Sequence, residues 1–136
     1  MEHLGRHVII ELWGCSDAIN DAERVKTAML DAVRAANATL LNIYVHTFSP
    51  QGVTGVAVLS ESHLSIHTWP EHGYVTADVF TCGETTMPQA AAEVLAARFG
   101  DAHRVVHALE RGVFPSARPP QLTSSKTSRP RSLTRA

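Results

Sequence analysis

Acids are missing from the end of this 136-residue chain: residues 112–136 hold five Lys/Arg and none of the 13 Asp/Glu. Residues 1–111 carry seven Lys/Arg against all 13 acids, so a net charge of −1 hides a −6 body and a +5 tail. The tail SARPPQLTSSKTSRPRSLTRA is rich in Pro, Ser and Thr and has almost nothing to bury. That composition predicts a disordered basic tail over 113–136. Its scattered charges without aromatics favour a solvated segment over a nucleic-acid arm. Also absent is any apolar run of the roughly 18 residues a membrane span needs. The N-terminus MEHLGRHVII mixes acid and base before a short apolar run, unlike a signal peptide. The expected location is therefore the cytoplasm, with no membrane partner. Cysteine is scarce: Cys15 and Cys82 are the only two, and in such a chain they read as free thiols. No internal repeat is visible.

An apolar fraction of 44% suits one globular domain, expected over residues 1–112. HVIIELWG (His7–Gly14) reads as a strand, β-branched and closed by Gly14. From Asp21 to Ala36 the residues Val25, Met29, Ala32, Val33 and Ala36 keep helical spacing. Asn20 or Asp21 can cap its start, and Asn37 can end it in the left-handed conformation. Thr39–Phe48 and Val53–Ser60 alternate as strands around the turn Ser49–Gly52. Tyr74–Thr81 is a returning strand after the turn Pro70–Gly73. A second helix starts near Pro88 and stops at Gly100, and His103–Glu110 is a last strand. The order β-α-β-β-β-β-α-β with short turns predicts an α+β two-layer sandwich, an antiparallel sheet with two helices on one face.

One strand is unusually polar. VLSESHLSIHTWPEHGY (Val58–Tyr74) carries three histidines, two glutamates and three serines. Strand parity sends His63, Ser65 and His67 one way and Leu64, Ile66 and Thr68 the other. With PEHG as a four-residue loop, Trp69 pairs with Tyr74, His67 with Thr76, His63 with Phe80 and Glu61 with Cys82, or one residue displaced. Either register sets Cys82 beside the Glu61–Ser62 bond. A thiol, a hydroxyl and a run of imidazoles are thus expected to converge at one end of a hairpin. Each has a plainer reading: strand serine as polar filler, cysteine as a small buried hydrophobe, histidines as half-buried residues. A zinc set of His63, His67 and Cys82 lacks paired ligand spacing and a fourth ligand, and no nucleophile elbow is present.

SESHLSIHTWPEHGY (Ser60–Tyr74) followed by DVFTCG (Asp78–Gly83) resembles the signature of the prokaryotic S-adenosylmethionine decarboxylase proenzymes. GRHVIIELWGC (Gly5–Cys15) and HTFSPQGVTGV (His46–Val56) resemble the same family in order and spacing. The resemblance covers about residues 4 to 112 and leaves the segment from Phe114 onward without a counterpart. It implies a precursor that cuts itself between Glu61 and Ser62, giving a β chain 1–61 and an α chain from 62. Ser62 would attack the preceding carbonyl, and elimination from the ester would release the Glu61 carboxylate and leave a dehydroalanine. Its hydrolysis with loss of ammonia would give a pyruvoyl group as covalent cofactor. The substrate amine would form a Schiff base on it. By the resemblance, His67 is the general base of processing and Thr54 stands where many members have an assisting serine. Cys82 matches the proton donor of decarboxylation. Phe48 and Trp69 match the aromatic walls for adenine, and Glu71 the carboxylate for the ribose. The implied substrate is S-adenosyl-L-methionine, the implied product the aminopropyl donor for spermidine, and the implied assembly a homodimer of αβ pairs. The rivals are a pyruvoyl-dependent arginine or ornithine decarboxylase on the same fold, and an unprocessed, non-enzymatic partner subunit.

Overall fold

The computed structural model describes residues 2–115. The expected tail lies outside the described residues from residue 116 onward. The elements follow the expected order: β1 (His3–Trp13), α1 (Ala22–Ala35), β2 (Leu40–Thr47), β3 (Val53–Leu59), β4 (Ser62–Trp69), β5 (Tyr74–Cys82), α2 (Pro88–Arg98) and β6 (His103–Val113). Short 3-10 turns at Asp17–Asn20 and Pro70–His72 complete them. The strands form one sheet in the order β2-β3-β4-β5-β1-β6, antiparallel at every pairing.

Alternation in the sequence fixes which side of the sheet is covered. Val8, Ile10 and Leu12 of β1, Leu64 and Ile66 of β4, and Val75, Ala77 and Val79 of β5 are buried. They meet Val25, Met29 and Ala32 of α1 and Ala91, Leu95 and Ala96 of α2 in one core. Helix α1 lies so close to β3 that a Cβ on Gly55 would stand 2.6 Å from Met29 Sδ. This core locks the hairpin register. A one-residue slip of β4 would expose Leu64 and Ile66, at roughly 1.5–3 kcal/mol for each side chain.

Local chemistry ends the helices as the sequence suggests. Asp21, rather than Asn20, caps α1: its Oδ1 accepts from the backbone N–H of Glu23 at 3.0 Å and of Arg24 at 3.2 Å. Asn20 is used elsewhere, accepting from Gly52 N–H at 3.0 Å. Asn37 closes the helix with φ of 59°. Two strands are longer than their sequence patterns. β1 begins at His3, before the expected His7, and β6 runs to Val113, past the expected Glu110. Gly5, Arg6 and Gly112 break the apolar alternation there. Pairing of β1 with a neighbour on each side holds it extended regardless.

Candidate active site

The face of the sheet away from the helices is uncovered among the described residues and sets polar groups among exposed apolar ones such as Val56, Val58 and Leu109. Register sets its side chains in rows. One row runs His46, Thr54, His67, Thr76, Glu11, and another runs Val58, His63, Phe80, His7, Leu109. Ser65 and Asp78 lie opposite each other between these rows.

Ser60 and Glu61 form the two-residue turn between β3 and β4, since Leu59 pairs with Ser62. Glu61 sits at φ of 58°, a left-handed conformation that costs a residue with a Cβ about 1–2 kcal/mol. The strained residue is the one before the expected cut. Cys82, half-buried at the end of β5, donates from its thiol to the Glu61 carbonyl oxygen at 3.1 Å. The Ser62 hydroxyl donates to the Ser60 carbonyl at 3.0 Å. The counted hairpin register is therefore the observed one, including His63 opposite Phe80, His67 opposite Thr76 and Trp69 opposite Tyr74. Behind Ser62, on the helix side, Thr81 is fully buried and its Oγ1 has no hydrogen-bond partner among the described residues. Next to Cys82, a cleft of about 280 Å³ opens between the start of β1 and Gly83–Glu84. A Cβ on Gly5 would stand 2.7 Å from the Phe80 ring, so this position keeps β1 clear of the phenyl edge.

His67 is not at that end. It lies five residues along an extended strand from Ser62, roughly 16 Å at 3.3 Å per residue. There its Nδ1 is 3.0 Å from Thr54 Oγ1. The expected convergence of all the imidazoles on the hairpin end is thus corrected: full extension of β4 forbids it. The expected aromatic wall also lies toward the far end. Trp69 ends β4, its ring centroid 5.5 Å from that of Tyr74, which in turn is 4.3 Å from Trp13. Phe48 packs on His46 with centroids 4.6 Å apart. Glu71 is exposed in the Pro70–His72 turn. Ser62 and Cys82 therefore form one group, and Thr54, His67, Phe48, Trp69 and Glu71 a second, separate group within one chain.

The grouping of His63, His67 and Cys82 around zinc does not occur. His63 instead meets two residues that sequence reasoning missed. His63 Nε2 and His7 Nε2 each lie 2.7 Å from Asp78 Oδ2. Ser65 donates to Asp78 Oδ1. Arg111 donates to His7 Nδ1 at 2.8 Å. Burial alone raises the Asp78 pKa, but hydrogen bonds from Ser65, His63 and His7 outweigh it and hold the carboxyl below its ordinary range. The signal available was Asp78 itself, an acid on the His63 face of an interior strand. Cys15 is a free thiol too, but burial pushes its pKa up to about 11, and it lies at the opposite end of β1 from Cys82's partner Gly5.

Known proteins share both the sequence and the fold of this chain. A family profile described as S-adenosylmethionine decarboxylase matches residues 6–112. An S-adenosylmethionine decarboxylase proenzyme of Thermomicrobium roseum is 54% identical over 115 residues, covering 84% of this chain and 98% of the relative. One from Pelotomaculum thermopropionicum is 49% identical, covering 85% and 92%. The crystal structure of an adenosylmethionine decarboxylase from Aquifex aeolicus superimposes with a TM-score of 0.77 at 33% identity, covering 89% of this chain and all of that one. A Trypanosoma brucei structure shares the fold, with a TM-score of 0.52 at 13% identity over 74% of this chain and 44% of that one.

Proposed function

The chain belongs to the S-adenosylmethionine decarboxylase family, and on that premise we propose that it is a self-cleaving precursor of a pyruvoyl-dependent S-adenosylmethionine decarboxylase, cut between Glu61 and Ser62. The observation that carries this reading is the Cys82 thiol held 3.1 Å from the carbonyl oxygen of Glu61, the residue just before Ser62. A donor on that oxygen polarises the carbonyl toward the neighbouring nucleophile. The left-handed strain at Glu61 is released when its bond to Ser62 breaks. Ser62 rotates away from the Ser60 carbonyl to attack, and its amide becomes an ester before elimination.

The residues fit the cofactor that the family implies. Ser62 begins β4 at a turn, so it can become a chain end without breaking an interior strand. A pyruvoyl group there would supply an electrophilic carbonyl as the sink for the electron pair that departing CO2 leaves on the α-carbon. Cys82 lies on the open face at the same end and serves as proton donor. Thr54 orients the His67 ring, which serves as general base. Phe48, Trp69 and Glu71 form the nucleoside end of the substrate site; exposed aromatic faces suit both an adenine and a sulfonium. The relatives named above are S-adenosylmethionine decarboxylases, which leaves arginine and ornithine without support.

One chain does not hold a whole site, because Ser62 and the Thr54–His67 pair lie roughly 16 Å apart on β4. A homodimer resolves this. A two-fold axis that lays the open face of one sheet on that of its partner, with the two β4 strands antiparallel, brings Ser62 of one copy to His67 of the other. Tyr44, Val56, Val58 and Leu109 are exposed on this face, and a second copy would cover them. We place the enzyme in the cytoplasm; among the described residues no helix is long and apolar enough to cross a membrane. The reading is tested by CO2 release from carboxyl-labelled S-adenosylmethionine. Release is expected from it and not from arginine or ornithine, and not with Ser62→Ala; release from arginine alone would overturn the substrate assignment.

A further inference from the structure

Cleavage at Glu61–Ser62 creates a problem that the intact hairpin does not have. Residue 62, which carries the chemistry, becomes the first residue of a chain, and chain ends fray unless tied down. The first side chain behind it is His63. Its Nε2 is 2.7 Å from Asp78 Oδ2, and Asp78 belongs to β5, which is paired on both sides. We propose that Asp78, acting through the His63 ring, is the positioning residue that anchors the new chain end after cleavage. It thereby fixes the peptide plane joining residues 62 and 63 relative to the Cys82 thiol. This inference rests on the cleavage reading above.

The hydrogen bonds assign the protons. Asp78 Oδ2 accepts from the Nε2–H of both His7 and His63, and Oδ1 accepts from the Ser65 hydroxyl. With its proton on Nε2, His7 offers the Nδ1 lone pair to Arg111. A proton on Nδ1 would instead face the Arg111 guanidinium. The carboxylate and the guanidinium balance in charge, and the His63 ring is gripped by a charge-assisted bond.

The same atoms also meet the bare proximity condition for a metal: His7, His63 and Asp78 each bring a ligand atom within 4.8 Å of the others. Two facts argue for the hydrogen-bonded clamp. Ligands around a tetrahedral zinc, with bonds of about 2.0–2.1 Å, sit roughly 3.3 Å apart, whereas both histidine nitrogens are 2.7 Å from the carboxylate oxygen. A metal on His7 Nε2 would also force a proton onto Nδ1, against the Arg111 guanidinium 2.8 Å away.

The test uses processed wild type, Asp78→Asn and Arg111→Gln. Asparagine keeps the size but removes the charge, and its amide NH2 faces either both histidine donors or the Ser65 hydroxyl. Hydrogen exchange followed by mass spectrometry reads the anchor directly. In Asp78→Asn, amides at 63–65 should exchange about tenfold faster or more, while those at 66–68 stay protected. Turnover should show kcat down about tenfold with KM unchanged. A larger share of spent α chains should start with alanine, because a loosened chain end presents the wrong atom to the proton donor. Arg111→Gln, an outlying substitution, should speed exchange at 63–65 by roughly two- to fivefold, and it carries the test if Asp78→Asn stays uncleaved. Wild-type exchange, kcat and alanine fraction in both variants would overturn the anchor while leaving the cleavage reading intact. Stoichiometric cobalt(II) binding by wild type, lost in Asp78→Asn, would overturn it in favour of a metal centre. A wild-type protein that never cleaves would overturn the reading beneath it.

Discussion

The Cys82 thiol donates to the Glu61 carbonyl oxygen across the hairpin, at 3.1 Å and 21 residues apart in sequence. In the proposed reaction, one side chain would thereby touch the group to be cut before processing and stand near the group left at position 62 afterwards. Cys82→Ala should therefore show two defects. Cleavage should slow by about tenfold, less than for loss of a backbone oxyanion donor because a thiol donates weakly. The processed fraction should also inactivate during turnover, returning the substrate as an aldehyde and leaving alanine at the α-chain start. Time-resolved intact mass reads both. Wild-type cleavage and no alanine would make Cys82 a small packing residue.

The division of the site between two groups on β4 gives a test of the dimer. Ser62→Ala and His67→Ala should each remain largely uncleaved when made alone. Made together, they should form heterodimers of the proposed kind with one complete site, joining Ser62 of the His67→Ala copy to His67 of the Ser62→Ala copy. The His67→Ala chain should then be cut and the Ser62→Ala chain should stay whole. Absence of cutting in the mixture would return the whole site to a single chain.

Asp78 makes stability depend on acid. Its folded pKa is lowered by hydrogen bonds from Ser65, His63 and His7 that outweigh burial. The contribution is thus fully present above the ordinary aspartate value of about 3.8 and is lost as pH falls through the lower folded value. Thermal midpoints of wild type should drop more steeply below that pH than those of Asp78→Asn, which has no carboxylate to protonate. Equal acid slopes would contradict the geometry around Asp78.

Thr81 offers a stability gain. Its hydroxyl is buried without a hydrogen-bond partner among the described residues, so Thr81→Val removes an uncompensated polar atom at nearly constant volume. Chemical denaturation should show an increase of about 1 kcal/mol. A loss of stability would reveal a partner for this hydroxyl.

Much of this was legible in the sequence because it is local. The 58–82 hairpin could be counted from its four-residue loop, and with it the meeting of Cys82 and Glu61. Strand parity correctly separated Leu64 and Ile66 from His63 and His67. The Asp78 cluster was not legible. His7 lies 71 residues from Asp78 and Arg111 lies 104 from His7. They meet only because β1 enters the sheet between β5 and β6, a non-local pairing that no periodicity announces. The distance between Ser62 and His67 was implicit in five residues of extended chain. It was obscured by treating the polar run as one constellation. The family resemblance supplied the roles, and the extended β4 separates Ser62 from His67, which is why the proposed site draws on two copies.

The central claim is that this chain cuts itself before Ser62, and the intact mass of the purified, fully incubated protein tests it most directly. Two masses are predicted, one for residues 1–61 and one for an α chain from position 62 that resists N-terminal sequencing, with Ser62→Ala giving a single uncut chain. A wild-type protein that persists as one 136-residue chain after long incubation would contradict the account.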